Sequence, residues 1–181
     1  MNMHTELRKT YLGAAPHTLM MGLVWLVSGV LPHFFSKSLT ILFFFFAAGA
    51  AFSAGEALNK ALKTPNVLST ENNLPKLFLF LGMTIPLAFP VIYMAMQSNL
   101  NWFFPAFAII VGGHYLPFIW AYKMPTFGIL GGLLIAVGVG CAFWLPEHFS
   151  TAAYITGAVL LIFAALHYWL VRRELDTVKA K

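Results

Sequence analysis

The sequence predicts an all-α fold: a polytopic membrane bundle of six transmembrane helices with both termini in the cytoplasm. Three observations carry that expectation. Only 9% of the 181 residues are charged and the mean hydropathy is +0.78, whereas a soluble chain carries about 25% charge. Most of this surface is therefore expected to face lipid. Six apolar runs follow one another, each close to the ~20 residues that a helix needs to cross a bilayer. When the connections are assigned alternately to two sides, Arg8, Lys9, Lys60, Lys63, Lys76, Lys123, Arg172, Arg173, Lys179 and Lys181 share one side and Lys37 stands alone on the other. Basic residues mark the cytoplasmic side of a membrane protein, and an odd number of spans would dissolve the asymmetry.

The first span is placed at 14–31. Arg8 and Lys9 precede it as they would in a signal peptide, but the apolar run reaches Leu31 and no small-x-small cleavage site follows, so an uncleaved span is expected. The second, at 38–58, holds the block Phe43-Phe44-Phe45-Phe46. The third, at 77–96, contains Pro86 and Pro90, and the fourth, at 103–122, contains Pro105 and Pro117. The fifth lies at 126–145 and the sixth at 151–171. Continuous runs of this length favour helices, and the short alternating segments of a β-barrel are missing. Spans of this kind use about 120 residues, which leaves one integral membrane domain, 1–181. The tail 172–181 alternates basic and acidic residues and is expected to carry the last helix into water. The connection 59–76, with Pro65, Asn66, Glu71, Asn72, Asn73 and Pro75, reads as a polar loop, with a lid or a surface helix as the alternative. Trp25, Trp102, Trp120, Trp144 and Trp169 mostly fall near span ends, where interfacial aromatics belong.

Charge and composition exclude several classes. The net charge is +5, but the bases sit at helix ends, where they set orientation and meet anionic headgroups; the partner expected is the lipid bilayer of a bacterial inner membrane, not nucleic acid. The single cysteine, Cys141, lies in an apolar run and forms no disulfide within the chain. No P-loop, HExxH or nucleophile elbow is present, and no cofactor is indicated. The two halves of the chain offer only a thin inverted match, His17 before Trp25 and His114 before Trp120.

Three residue sets are candidates for function. Gly128, Gly132, Ala136 and Gly140 recur at four-residue spacing in the fifth span, and Ala47, Ala51 and Gly55 do so in the second. Small residues on one face let helices approach closely, inside the bundle or across a homodimer. The prolines of the third and fourth spans each remove a backbone donor and free a carbonyl one turn earlier, and a freed carbonyl in lipid needs a partner. Two broken helices in succession predict a polar pocket between spans three and four. Ionisable residues inside spans are costly and default to functional roles. Glu56, His17, His114 and His167 all fall in the cytoplasmic half, His114 about 18 Å along its span from the outer end. His17, Glu56 and His114 are candidate proton-relay groups or metal ligands, with Tyr115 and Pro117 beside His114. Glu56 has an alternative partner in Lys60, one turn on, and His17 and His167 have an interfacial alternative, as do His33 and His148 at the outer ends.

The stretch Ile110-Val-Gly-Gly-His114-Tyr-Leu-Pro117-Phe-Ile-Trp-Ala-Tyr122-Lys resembles the most distinctive segment of a family of small bacterial six-helix membrane proteins known only as a domain of unknown function. Pro65-Asn66 with the following Asn72-Asn73, and the Gly-Ala-Ala-Pro sequence ahead of the first span, are similar more loosely. The resemblance implies the six-helix fold and singles out His114 and Pro117; it implies no substrate.

Three readings of function follow. A small-solute or ion permease would use a cytoplasm-facing pocket between the broken helices, with His114 and Glu56 binding substrate or carrying protons. A structural or regulatory subunit would use the same polar groups only to fix helix register. An intramembrane enzyme on a lipid-like substrate would use them as acid, base or metal ligands.

Overall fold

Apolar residues dominate each long segment, and in lipid a helix is the only open-ended segment that satisfies its own backbone. A computed structural model of the chain describes residues 2–64 and 67–179, and its elements are helices and short 3-10 turns. They are α1 (Met3–Thr10), α2 (Ala15–Val30), α3 (Lys37–Ala61), α4 (Leu74–Leu87), α5 (Phe89–Ser98), α6 (Phe103–Tyr122), α7 (Thr126–Trp144) and α8 (Thr151–Lys179). Six stretches are long and apolar enough to cross a membrane: Leu12–His33, Lys37–Ala61, Leu74–Ser98, Leu100–Tyr122, Thr126–Trp144 and Thr151–Thr177. The protein is a multi-pass membrane helix bundle. The last helix does run past Val171 into the charged tail, as expected, and Lys181 lies outside the described residues.

Both described ends of the chain meet at one end of the bundle. There α1 contacts the C-terminal ends of α6 and α8 and the segment that leads into α4. We call this the basic end. At the opposite end Lys37 is fully employed: its Nζ donates to Asn101 Oδ1 at 2.8 Å and lies over the Phe149 ring. Asn101 and Asn99 in turn donate to the Pro146 carbonyl.

The centre is built by glycine crossings. A Cβ on Gly138 of α7 would lie 2.5 Å from the Pro105 carbonyl oxygen, and one on Gly112 of α6 would lie 2.7 Å from that of Gly131. Gly22 of α2 and Gly157 of α8 make the same kind of contact with each other's backbone. Close backbone approach is what drives helix association in lipid, where no hydrophobic force acts. In the half away from the basic end an aromatic cluster fills the space, with Phe44 edge-on to Trp25, Phe104 and Phe107 at centroid distances of 5.0–5.4 Å, geometry that rings prefer. Trp25 is therefore a core residue and not an interfacial one: it is fully buried.

Prolines act differently in the two adjacent spans. The third span is broken at Ala88, between Pro86 inside α4 and Pro90 in the first turn of α5. The fourth is not broken. Pro105 sits in the first turn of α6, where its missing donor costs nothing, and α6 continues through Pro117 to Tyr122. The third span is also the least embedded: 6% of its most apolar window is buried, against 44% for the fourth.

The backbone-to-backbone approach of α6 and α7 does not use the expected stripe Gly128, Gly132, Ala136 and Gly140. That contact uses Gly131 and Gly138, seven residues apart, while Gly132 and Ala136 are exposed and Gly132 has nothing within 4 Å. Gly128 meets Ile119, and Gly140 meets only Trp144 of its own helix. In the second span Gly55 is buried against His17 of α2, Ala51 is buried and Ala47 is half-buried.

Candidate functional site

Two of the ionisable candidates come together near the basic end. His17 lies at the start of α2 and Glu56 near the end of α3; Nε2 and Oε1 are 3.3 Å apart. The approach depends on Gly55, where a Cβ would stand 2.8 Å from the His17 Cα. Any larger residue would push α3 away and separate the pair. The Phe52 and Tyr11 rings flank the imidazole at 5.1 and 6.2 Å. Tyr11 lies just outside the first span; burial pushes its phenol pKa up, and the Glu56 carboxylate pushes it further in the same direction. Side-chain exposures of 18% for His17 and 32% for Glu56 leave the pair half-buried. The alternative partner of Glu56, Lys60, makes no ion pair with it among the described residues.

A strained turn positions His17. Leu12, Gly13 and Ala14 all have left-handed backbone, with φ of 48°, 59° and 60°. Only glycine adopts this conformation without penalty, and Leu12 and Ala14 each cost roughly 1–3 kcal/mol there. The turn folds α1 back beneath the bundle so that α2 can begin at Ala15, with Pro16 in its first turn. Such strain persists only where the surroundings over-determine it, and α1 is held from several sides. The Arg8 guanidinium donates from Nε and Nη2 to the two carboxylate oxygens of Glu174 at 2.8 and 2.9 Å, and from Nη1 to the Tyr122 carbonyl at the end of α6. His4 Nδ1 lies 3.0 Å from the Ala121 carbonyl oxygen. Asn59 of α3 donates to the Thr10 carbonyl.

Glu6 fastens α1 to the connection between the second and third spans. One of its oxygens, Oε2, accepts from the Ser69 backbone, the Ser69 hydroxyl and Asn72 Nδ2, at 3.0–3.1 Å. The Ser69 N–H, followed by the Asn72 amide, holds the Glu6 carboxyl below its ordinary pKa. Described residues of 62–73 form turns and coil and no helix; Pro65 and Asn66 lie outside the described residues. The connection is a polar loop, clasped at Asn72.

His114 stands apart from the His17–Glu56 pair. Its Nδ1 is 3.4 Å from the hydroxyl of Thr84, on α4 about one turn before the break in the third span, and that hydroxyl donates to the Leu81 carbonyl. This is a single polar contact between spans three and four, not the pocket that two broken helices predicted. Tyr115 is buried, its ring 5.6 Å from Phe118 and 6.0 Å from Phe127, and Pro117 is half-buried on α6. Among the described residues no three His, Cys, Asp or Glu side chains are close enough to hold a metal ion, so His114, His17 and Glu56 do not form one ligand set. His167 is fully buried, not interfacial; its Nε2 lies 2.8 Å from the Thr126 hydroxyl at the start of α7, and its ring packs 4.3 Å from that of Phe127.

The six spans, the His114 segment and the Leu12-Gly-Ala-Ala-Pro turn now stand together on one scaffold. A model of the family of unknown function DUF7010 matches residues 1–170. The chain belongs to that family. DUF7010 thus covers α1 and all six spans up to the charged tail of α8. No curated protein matches the chain, and no solved structure does.

Sequence reasoning missed α1. Its signals were present: Asn2 caps the helix through His4 N at 3.0 Å, Glu6 lies in its first turn, and Arg8 and Lys9 lie in its last. These are the marks of a helix start and stop, but the segment had been read only for its charge.

Proposed function

We propose that this DUF7010 chain is a small-solute or ion permease, or the membrane subunit of one, whose His17–Glu56 pair carries the proton or cation. The observation that supports the reading best is the pair itself, two ionisable side chains 3.3 Å apart inside spans and half-buried. Charged groups are kept at that depth where they serve a path. The third span supplies a movable wall: it is broken at Ala88 and lightly packed. His114, opposite Thr84, is a second polar station about 12 Å from the end of α6 at 1.5 Å per residue, with Tyr115 and Pro117 fixing its helix. We take the basic end to face the cytoplasm of a bacterium, a reading that the ten-to-one distribution of bases between the two sides supports. Six helices enclose only a narrow path, so we take the working form to be a homodimer through the outward Gly132 and Ala136 face; Gly132→Leu would lower the mass measured in detergent.

A structural or regulatory subunit is the second reading. It is favoured by the polar clasps of Arg8, Glu6 and Asn59, which fasten α1 rather than line a path. Proteoliposomes with a trapped pH-sensitive dye separate the two. Under an imposed pH step, with ammonium, alkali-metal or short carboxylate salts added in turn, the permease dissipates the gradient faster than protein-free vesicles for at least one salt. Glu56→Gln returns the rate to that of protein-free vesicles. A wild-type rate equal to the protein-free rate for every salt rejects transport in favour of the structural role.

A further inference from the structure

An apolar groove of about 350 Å³ runs between the basic-end halves of α2, α3 and α8, and neither His17 nor Glu56 lines it. Pro16 and Leu19 line one wall, Leu58 and Leu62 a second, and Ala165 and Tyr168 the third. Its volume falls within the range of about 300–1,000 Å³ typical of small-molecule sites. The stripe Leu161, Ala165, Tyr168 and Arg172 repeats at helical spacing along α8, so Arg172 stands one turn, about 6 Å, beyond the groove toward the basic end. The guanidinium of Arg172 lies over the Tyr168 ring, 5.2 Å from its centroid. Its Nε is buried and has no hydrogen-bond partner. Among the described residues no carboxylate lies within ion-pair distance of it: Glu174 is engaged by Arg8, and Asp176, one turn on, does not reach it. A buried guanidinium donor without an acceptor is costly, and the apolar lining of the groove suits a hydrocarbon chain.

We infer that this groove holds one acyl chain of an anionic glycerophospholipid, whose phosphate accepts from Arg172. The apolar lining selects a hydrocarbon chain, and the unpaired guanidinium one turn beyond the groove selects negative charge, since Arg meets phosphate with a donor fork that matches its geometry. The inference does not depend on transport.

Electron spin resonance of the full chain, reconstituted in phosphatidylcholine with trace spin-labelled lipid, tests it. Spin-labelled phosphatidylglycerol should show a motionally restricted component with about fivefold higher relative affinity than spin-labelled phosphatidylcholine, the gain expected from one basic residue meeting an anionic headgroup. Arg172→Ala should lower that preference severalfold, to the weak level set by the other bases of this end, and Arg172→Lys should keep more of it. Ala165→Trp, which fills the groove and leaves the charge, should lower it to the same level while the circular dichroism of the folded bundle is unchanged. Equal affinities in the wild type overturn the inference. So does a preference undiminished in either Arg172→Ala or Ala165→Trp, because the selecting charge or the selecting groove would then lie elsewhere.

Discussion

The α6–α7 hairpin and the third span have nearly the same apolar composition and opposite packing. In α6–α7, backbone touches backbone through Gly112, Gly131 and Gly138. In the third span Gly82 has nothing within 4 Å, and Phe80, Leu87, Val91, Tyr93 and Met94 all point outward. Apolar character alone therefore settles that a segment enters lipid, and small residues in the right register settle whether it is held there by its neighbours. The N-terminal helix spans the contrast. Arg8 binds it to the tightly packed side through Glu174 and Tyr122, and Glu6 binds it to the loop that leads into the third span.

Four measurements would break or sharpen that contrast. The largest effect belongs to Gly138→Leu, which drives a side chain into the Pro105 carbonyl. A backbone atom cannot yield as a side chain does, so we expect a loss of about 3 kcal/mol or more in detergent unfolding, whereas Gly82→Leu should stay within about 0.5 kcal/mol. Comparable losses at both sites would mean that the third span is packed as tightly as the α6–α7 hairpin. Next comes Arg8→Ala, which leaves a carboxylate and a helix-end carbonyl without their donor. With the discount for partial exposure we expect about 1–2 kcal/mol, read as faster proteolysis ahead of Tyr11; Lys9→Ala, whose contact with Glu174 is 3.9 Å, should cost under about 0.5 kcal/mol.

Amide hydrogen exchange in micelles offers a third comparison. Amides around the Ala88 break should exchange at least about tenfold faster than those at the centre of α6, since lightly packed segments open at low free-energy cost. Equal protection would remove the movable wall from the transport proposal. The smallest effect concerns acid. The hydrogen bonds of Glu6 stabilise its ionised form, so its pKa is lower folded than unfolded. Its stabilisation is fully present above the unfolded value of about 4.3 and is lost as pH falls through the lower folded value. Below about pH 4 the loop at Ser69 and Asn72 should loosen from α1 before α6–α7 responds, and Glu6→Gln should abolish that pH dependence. Loop release that is unchanged in Glu6→Gln would place the acid sensor on another group.

The site was legible only in part. His17 and Glu56 were singled out because ionisable groups inside spans are expensive, and they do meet. The sequence carries no rotation angle for a helix about its axis, so it could not say that His114 would face Thr84 instead of joining them. Trp25 and His167 were misplaced for a related reason: proximity to a span end in sequence does not say whether a side chain points to the headgroups or into the bundle. The four-residue stripe in α7 was read correctly as small, but the backbone approach to α6 is made by Gly131 and Gly138, which lie outside that stripe.

By itself the sequence determined that the chain crosses the bilayer six times as helices, because long uncharged runs have no other solvent and must close their own hydrogen bonds. It also determined which end is basic. The tertiary structure decided which helix faces touch, that the first helix folds beneath the bundle through a left-handed turn, and which polar groups find one another. Those outcomes depend on contacts between residues distant in the chain, such as Arg8 with Glu174 and Gly112 with Gly131. Neither composition nor periodicity encodes them.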